Sequence, residues 1–279
     1  MATQGTTGAK AFKGTLNYDN LRLDHQAHLK KLNDVLVETA LSVEGLNSVL
    51  EDVVTKIGNG ETVYKLRVPN KKAKAIPIRR NLISLRADLQ NNITSKEYIK
   101  SLVFIITIVE DYLAKNLIRV LIAYPKKLLI STKGNQAAAG AYTVEMRDLL
   151  DAGSLKAIIR QKAEQRTRDA MYASPVQYIA YFTSVTGTQI DPAVWGSYAE
   201  IKATRDLYVH SDGTVNDIYI EKTGAHARYA KGHKAVVDAA YFDAAASCLK
   251  SLMSAVYIGL RAGFCSSSEL KRVFDEEQT

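Results

Sequence analysis

The sequence predicts an all-α fold: a helical bundle with an N-terminal helical extension and a loop or short extended insertion before the last helix. Apolar residues recur at spacings of three and four along several long segments, which is typical of amphipathic helices. Only 5 of the 279 residues are proline, so long helices are permitted. The apolar content of 47% and charged content of 24% are ordinary for a globular protein. A chain of this length can form either one large domain or two smaller ones.

The first elements follow a polar start. Residues 1–15 hold too few apolar side chains to fold alone, which predicts a flexible tail. A long amphipathic helix is predicted from about Tyr18 to Ile57, ended by Gly58–Gly60. The alternating segment Thr62–Val68 predicts a short strand. The basic segment Asn70–Lys74 then forms an exposed connection, either touching phosphate or simply solvated.

Two further helices precede the middle of the chain. The first covers about Asn81–Gln90. Thr94, with Glu97 three residues later, has the pattern of a capping box and predicts a new helix from Ser95 to Ala123. Tyr124-Pro125 should close it, because a residue before proline is pushed away from helical geometry.

The second half reads as further helices joined by loops. Ser154 is a good N-cap, and Ser174 before Pro175 fits an N-cap followed by proline at the first helical position. Ser211–Gly213 ends one helix, and a loop or short extended piece then reaches about Lys234. Gly134–Gly140 is a predicted loop, and the predicted helices are Val144–Leu150, Ser154–Tyr172, Ser174–Thr186, Pro192–Val209 and Asp238–Gly263.

Charge and cysteine content narrow the class of protein. A net charge of +8 indicates either an anionic partner such as RNA or simply a basic soluble protein. Cys248 and Cys265 lie in apolar helical patterns without metal-ligand spacing, so we predict packing residues, no disulfide and no metal or cofactor. Residues 1–13 lack a signal-peptide core, and the apolar run Leu102–Val109 is too short to span a bilayer. We therefore expect a cytoplasmic protein without a membrane partner.

Arg205 and His210 are the side chains best placed for chemistry. They lie at the end of a predicted helix, immediately before the glycine-containing loop that begins at Ser211. Histidine exchanges protons near neutral pH, and a guanidinium holds phosphate through two parallel donors. This pair suits phosphodiester transesterification, with His210 moving the proton of the 2'-hydroxyl or leaving oxygen and Arg205 stabilising the phosphate.

The spacing of the pair predicts a shared site. Residues five apart on a helix are separated by about 140° and do not touch directly. Two copies facing across a twofold axis would bring two pairs into one cleft, which predicts a homodimer with a composite site.

The bare Arg-x4-His spacing is weakly specific, because it is expected by chance roughly 0.25 times in a chain of this composition. Arg228 to His233 has the same spacing, and Arg22 to His28 has a looser one. The former lies in a glycine-containing loop and the latter on what we expect to be an exposed helix. Context therefore favours Arg205 and His210.

The segment RDLYVHSDGTVNDIY, residues 205–219, resembles the Arg-polar-x-x-x-His signature of the HEPN superfamily. Its continuation resembles the HxxGxVNxxY pattern of prokaryotic members, the RiboL-PSP-like HEPN ribonucleases. Val109–Leu113 and the helix ending at Tyr124 resemble the first helix of that bundle, and Ser154–Ile190 its middle helices. The resemblance covers roughly residues 95–263.

The resemblance implies a helical bundle, a homodimer and metal-independent endoribonuclease activity, in a toxin–antitoxin or antiphage system with an antitoxin or defence partner. Arg205 and His210 carry over as the catalytic pair, and Asp206 occupies the polar position where Asn is common. The implied domains are a tail at 1–15, a helical region of unknown role at 16–92, the HEPN-like domain at 93–265 and a tail at 266–279.

Further residues are candidates for supporting roles. Glu110 either orients Arg205 or is a charge on a helix surface, and Ser211 is a supporting residue beside His210. Lys202, Asn216 and Tyr219 are candidates for RNA contact, with loop capping and core packing as the alternative for Asn216 and Tyr219.

Two other functions remain open at the level of sequence. A catalytically inactive HEPN module would dimerise and bind RNA, nucleotide or a partner protein. A sensor or scaffold would use the first 90 residues to hold a partner.

Overall fold

A computed structural model describes residues 16–131 and 153–265. Helices hold most of these residues and the sheet that they contain has two strands, so the all-α prediction is confirmed. The predicted tails at 1–15 and 266–279, the loop at 134–140 and the helix at 144–150 lie outside the described residues. The elements are α1 (Tyr18–Gly58), β1 (Val63–Pro69), β2 (Ala75–Asn81), α2 (Leu82–Asn91), α3 (Glu97–Ala123), α4 (Leu155–Tyr172), α5 (Pro175–Thr186), α6 (Pro192–His210), α7 (Asp217–Thr223) and α8 (Ala239–Phe264).

Local capping signals set several helix ends as predicted. The Ser154 hydroxyl accepts a hydrogen bond from the Ala157 amide at 3.2 Å and begins α4. Ser174 and Gln177 form a capping box at the start of α5, with the Ser174 hydroxyl 3.4 Å from the Gln177 amide. Helix α3 ends at Ala123, directly before Tyr124-Pro125.

The predicted capping box at Thr94 is wrong. The Thr94 hydroxyl instead donates to the Gln90 carbonyl at 2.9 Å, four residues earlier. A π-helical turn, Asn92–Lys96, joins α2 to α3. A threonine hydroxyl can bond to a carbonyl one turn back, and that bond keeps Thr94 inside helical structure.

The predicted strand has a partner that sequence reasoning missed. β1 pairs antiparallel with β2, and Asn70–Lys74 connects them as a turn. β2 contains Pro77, which cannot donate a backbone hydrogen bond to a neighbouring strand, so its sequence did not indicate a strand. Asn81 ends β2 and caps α2 by accepting from the Ile83 and Ser84 amides at 2.9 and 3.2 Å.

The segment before the last helix is more helical than predicted. Asn216 accepts from the Tyr219 amide at 2.9 Å and begins the short helix α7. A 3₁₀ turn, Gly224–His226, follows. The expected extended character is limited to an isolated bridge between Thr214 and Lys234.

The chain divides into two compact units, each built from separated segments. The first comprises residues 16–27, 110–131, 153–195 and 251–265 of the described chain, and the second comprises 28–109 and 196–250. In the first, Tyr112 is fully buried, and its hydroxyl lies 3.1 Å from His25 Nδ1 and donates to the Met253 carbonyl at 3.2 Å. Among the described residues, no helix combines the length and hydropathy needed to cross a membrane.

Two apolar clusters of the second unit hold its elements together. One joins α6 to the segment after it through buried apolar residues. The other joins α1 to α2 and includes Val53, Leu82 and Leu89. The members of the first cluster are Ala203, Leu207, Val215, Tyr219 and Ala235.

Candidate active site at the end of helix α6

Arg205 and His210 lie on the last turns of α6, in the second unit. Ala203 and Leu207, four residues apart on the same helix, are buried in the cluster that joins α6 to the following segment. Their burial fixes the rotation of α6. The two candidate catalytic side chains therefore leave the helix from its less buried faces.

A tight turn follows His210 at once. The Ser211 and Gly213 amides both donate to the Leu207 carbonyl, at 2.7 and 3.0 Å. Asp212 and Gly213 have positive φ values of 47° and 75°. A Cβ at Gly213 would also lie 2.7 Å from the Tyr208 ring, so this position requires glycine. The turn ends α6 and leaves His210 at the surface.

The two candidate catalytic residues differ in how firmly they are held. His210 is exposed and makes no hydrogen bond or ion pair with a described residue. The Arg205 side chain is 18% exposed, and its Nη1 lies 3.2 Å from Asp206 Oδ1. Lys222 Nζ lies 3.0 Å from the other oxygen of Asp206. Asp206 thus joins two cations and leaves this end of the helix with a net positive charge.

A single chain does not join Arg205 to His210 by a hydrogen bond, which agrees with the angle expected from their spacing. Glu110 is half-buried and belongs to the first unit, whereas Arg205 belongs to the second. The expected contact between Glu110 and Arg205 stays a prediction. Lys202 is half-buried on α6.

Asn216 and Tyr219 occupy structural positions. Asn216 caps α7 and donates to the Ser211 hydroxyl at 3.2 Å. Tyr219 is 1% exposed and its hydroxyl donates to Glu200 at 2.8 Å. As placed here, Tyr219 is not accessible to RNA, because it packs in the core. The alternative of loop capping and core packing describes both residues, and the supporting role of Ser211 stays a prediction.

The sequence did not indicate Glu200, the most densely bonded carboxylate near the site. It is 4% exposed. Its Oε1 accepts from the Thr204 hydroxyl at 2.7 Å, the Tyr219 hydroxyl at 2.8 Å and Arg228 Nε at 3.0 Å. Its Oε2 accepts from the Tyr241 hydroxyl at 2.8 Å. Burial raises the pKa of Tyr241, and the Glu200 charge adds to that rise.

Arg228 completes this network. Its guanidinium carbon lies 3.5 Å from the centre of the Tyr241 ring, and its Nη2 donates to the Val236 carbonyl at 3.0 Å. Arg228 belongs to the second Arg-x4-His match, and its role here is to join α6 to the segment before α8. The one signal in the sequence was a glutamate, Glu200, among apolar residues on a helix.

A cavity of about 270 Å³ borders this network and is lined by Ser197, His226 and Cys248 as well as by Arg228. Ser197 makes a hydrogen bond to Cys248, but burial raises the pKa of that thiol, which makes it a poor nucleophile. Gly196 allows His226 to pack against α6, because a Cβ there would lie 2.1 Å from the imidazole Nε2.

We expect the looser match, Arg22 to His28, to lie on an exposed helix, but its histidine is buried. His25 is 7% exposed and His28 is 1% exposed, because both lie on the buried side of α1. Among the described residues, no three His, Cys, Asp or Glu side chains lie close enough together to hold a metal ion.

Comparison with known proteins adds nothing to the class of protein that the fold defines. No protein-family model matches the chain, and neither the curated proteins nor the solved structures contain a match. The protein is a mainly helical protein with an exposed histidine and an anchored arginine at one helix end.

Proposed function

We propose that this protein is a metal-independent endoribonuclease that cleaves RNA by attack of the 2'-hydroxyl, with His210 and Arg205 as the catalytic pair of a homodimer. The observation that carries the proposal is the arrangement at the end of α6. An exposed imidazole follows a largely buried guanidinium, and the tight turn at Gly213 leaves the imidazole facing solvent.

The chemistry follows from the properties of these two groups. The His210 imidazole removes the proton of the 2'-hydroxyl, and that oxygen attacks the adjacent phosphorus. The bond from phosphorus to the 5'-oxygen breaks, and the leaving oxygen receives the proton that the His210 imidazole removed, so one histidine acts first as the base and then as the acid. Arg205 donates to the non-bridging oxygens, where negative charge grows in the transition state. The products are a 2',3'-cyclic phosphate and a 5'-hydroxyl.

Asp206 supports this arrangement by holding the guanidinium. Arg205 bonded to a neighbouring carboxylate has fewer conformations to lose when phosphate binds. Lys222, bound to the same carboxylate, adds positive charge beside the scissile phosphate. The biological setting that we propose is a cytoplasmic toxin or antiphage effector, held in check by an antitoxin or defence-system partner.

The test is cleavage of total cellular RNA in EDTA by the wild-type protein and by Arg205→Ala and His210→Ala. Each substitution should lower the rate at least about 100-fold, because each removes a group that acts in the transition state. His233→Ala is the matched control, since His233 ends the second Arg-x4-His match and is exposed. It should cleave at the wild-type rate and leave cyclic phosphate ends.

Unchanged cleavage by His210→Ala, or a wild-type dimer that leaves all RNA intact, would contradict the proposal. Retained RNA binding by an inactive dimer would favour the alternative of a non-catalytic HEPN-like module.

A further inference from the structure

The hairpin formed by β1 and β2 is the most strongly charged part of the described chain. Residues 62–81 contain no aspartate or glutamate. Two antiparallel strands of seven residues reach roughly 23 Å at the usual rise of a strand. Within that span lie seven cations: Lys65, Arg67, Lys71, Lys72, Lys74, Arg79 and Arg80.

The pairing register separates the hairpin into two different faces. Side chains of a strand alternate between faces, and directly paired residues share one. Tyr64 pairs with Arg80 and Leu66 with Ile78, which places them on one face. Lys65 lies directly opposite Arg79, and Arg67 follows on the same side. We call the side that carries these last three cations the basic face.

The opposite face is attached to the rest of the unit. Tyr64 packs against the cluster of Val53, Leu82 and Leu89. Arg80 forms an ion pair with Asp88 of α2. The charge on that face is therefore partly compensated, and the hairpin is anchored at its base by Tyr64.

The basic face has no such compensation. Lys65, Arg67 and Arg79 are exposed, and none of them forms an ion pair with an acidic residue in the described parts of the chain. Like charges directly opposite each other destabilise a pair of strands. A two-stranded hairpin is only marginally stable by itself, so this repulsion favours a bound anion.

The turn presents its lysines in a fixed shape. Asn70 Oδ1 accepts from the Lys72 amide at 2.9 Å and from the Lys74 amide at 3.0 Å. Ala73 adopts a positive φ of 55° within this turn. The lysines of the turn thus extend the charge of the basic face to the tip of the hairpin.

We propose that the basic face, Lys65, Arg67 and Arg79, binds the phosphodiester backbone of RNA without reading its sequence. The proposal rests on the proposed function for the choice of RNA. A row of cations along an extended ribbon matches a row of phosphates, and cations that displace condensed counterions give salt-dependent binding. The hairpin and the end of α6 belong to the same unit.

The test measures binding of a fluorescent single-stranded RNA by anisotropy at several salt concentrations, with His210→Ala present in every protein to prevent cleavage. Lys65→Gln, Arg67→Gln and Arg79→Gln together should flatten the slope of log K against log salt by about 2, since each contact contributes about 0.7 for single strands. The charge-conserving triple variant Lys65→Arg, Arg67→Lys and Arg79→Lys should keep the slope.

The matched control removes one lysine and two arginines elsewhere: Lys30→Gln, Arg160→Gln and Arg168→Gln, all exposed and on helices α1 and α4. It should keep the wild-type slope, although its net charge falls equally. Equal slopes in the hairpin and control variants would overturn the proposal, because only total charge would then matter. Tighter binding of poly-glutamate than of RNA at equal charge would also overturn it, in favour of an acidic protein partner.

Two further readouts separate this proposal from neighbouring ones. The hairpin variant should melt no lower than wild type, because it removes the repulsion between Lys65 and Arg79. A lower melting temperature with an unchanged slope would make these residues structural and overturn the proposal. If the wild-type protein does not cleave total RNA but the hairpin still sets the salt slope in the binding test, the proposed catalysis fails and phosphate binding stands. If the wild-type protein cleaves RNA and the hairpin variant keeps the slope, the proposed catalysis stands and phosphate binding by the basic face fails.

Discussion

Glu200 makes its four hydrogen bonds in a buried position, where two carboxylate oxygens serve Thr204, Tyr219, Arg228 and Tyr241. Removing one member of such a network leaves the others without a partner in a low-dielectric environment. We expect Glu200→Ala to lower the free energy of unfolding by about 2–4 kcal/mol, measured by urea denaturation. Glu221→Ala, which removes an exposed carboxylate, should change it by less than about 0.5 kcal/mol. Similar changes in the free energy of unfolding for the two variants would contradict a stabilising role of the Glu200 network.

Buried Tyr178 and half-buried Tyr241 provide an opposite pair of predictions. The Tyr178 hydroxyl has no hydrogen-bond partner among the described residues, whereas the Tyr241 hydroxyl donates to Glu200. Tyr178→Phe should therefore leave the free energy of unfolding unchanged or raise it by up to about 1 kcal/mol. Tyr241→Phe should lower it by about 1–2 kcal/mol. Chemical denaturation of both variants would show the difference in sign, and a loss of stability in Tyr178→Phe would mean that its hydroxyl has a partner.

Burial also makes the stability depend on alkaline pH. Burial raises the pKa of Tyr178 above its ordinary value of 10.0, so the folded state holds the phenolic proton more tightly than the unfolded state. The contribution of this group is fully present below pH 10.0 and is lost as pH rises above it. Wild type should thus lose stability between neutral pH and pH above 10.0 faster than Tyr178→Phe, as followed by thermal unfolding. Parallel curves would contradict this account.

At the scale of residues, the sequence singles out candidate catalytic side chains, but it does not show which residues are buried. Arg205 and His210 stand out because their residue types suit phosphate chemistry and because a glycine-containing loop follows them. Glu200 and Arg228 are 28 residues apart, so only the folded chain brings them together. The burial of His25 and His28 was likewise hidden, because an amphipathic helix has histidines on either face.

At the scale of elements, the turn after α6 allows a test of how closely Gly213 packs against the Tyr208 ring. Gly213 and Gly232 both have positive φ, 75° and 86°, but only a Cβ at Gly213 would meet another side chain, that of Tyr208. Gly232→Ala should cost about 1 kcal/mol for backbone strain alone. Gly213→Ala should cost about 2–3 kcal/mol, since the Tyr208 ring must move as well. Unfolding in urea measures both, and equal costs would show that Tyr208 moves freely.

Helix ends were more predictable than the joints between elements. The caps at Ser154 and Ser174 depend on residues within one turn, so their signals are visible in the sequence. The continuous passage from α2 through the π turn to α3 depends on which carbonyl the Thr94 hydroxyl selects. β2 becomes evident only from its pairing with β1, because Pro77 within it argues against a strand.

For the whole molecule, the proposed composite site predicts complementation. Arg205→Ala and His210→Ala homodimers should both be inactive, but a heterodimer of the two would place one arginine and one histidine in the shared cleft. Mixing them should raise RNA cleavage at least about tenfold above either variant alone. Native mass spectrometry would establish that heterodimers form. Heterodimers without regained cleavage would contradict a shared cleft.

The organisation of the chain was less visible than its helices. A division in chain order near residue 92 was expected, and that division stays a prediction. The two compact units combine segments from the beginning, middle and end of the chain, and α1, α3, α6 and α8 each contribute residues to both. Helix periodicity is a local property, whereas membership of a unit depends on contacts between distant segments.

The hairpin has a consequence for solubility. A sheet of two strands consists entirely of edges, and an unpaired edge is a template on which another chain can add a strand and begin aggregation. Pro69 and Pro77 cannot donate a backbone hydrogen bond to such a strand, and the cations of the basic face repel a second copy. The charges proposed to bind RNA therefore also keep concentrated protein from assembling edge to edge, so a chain without them would tend to aggregate.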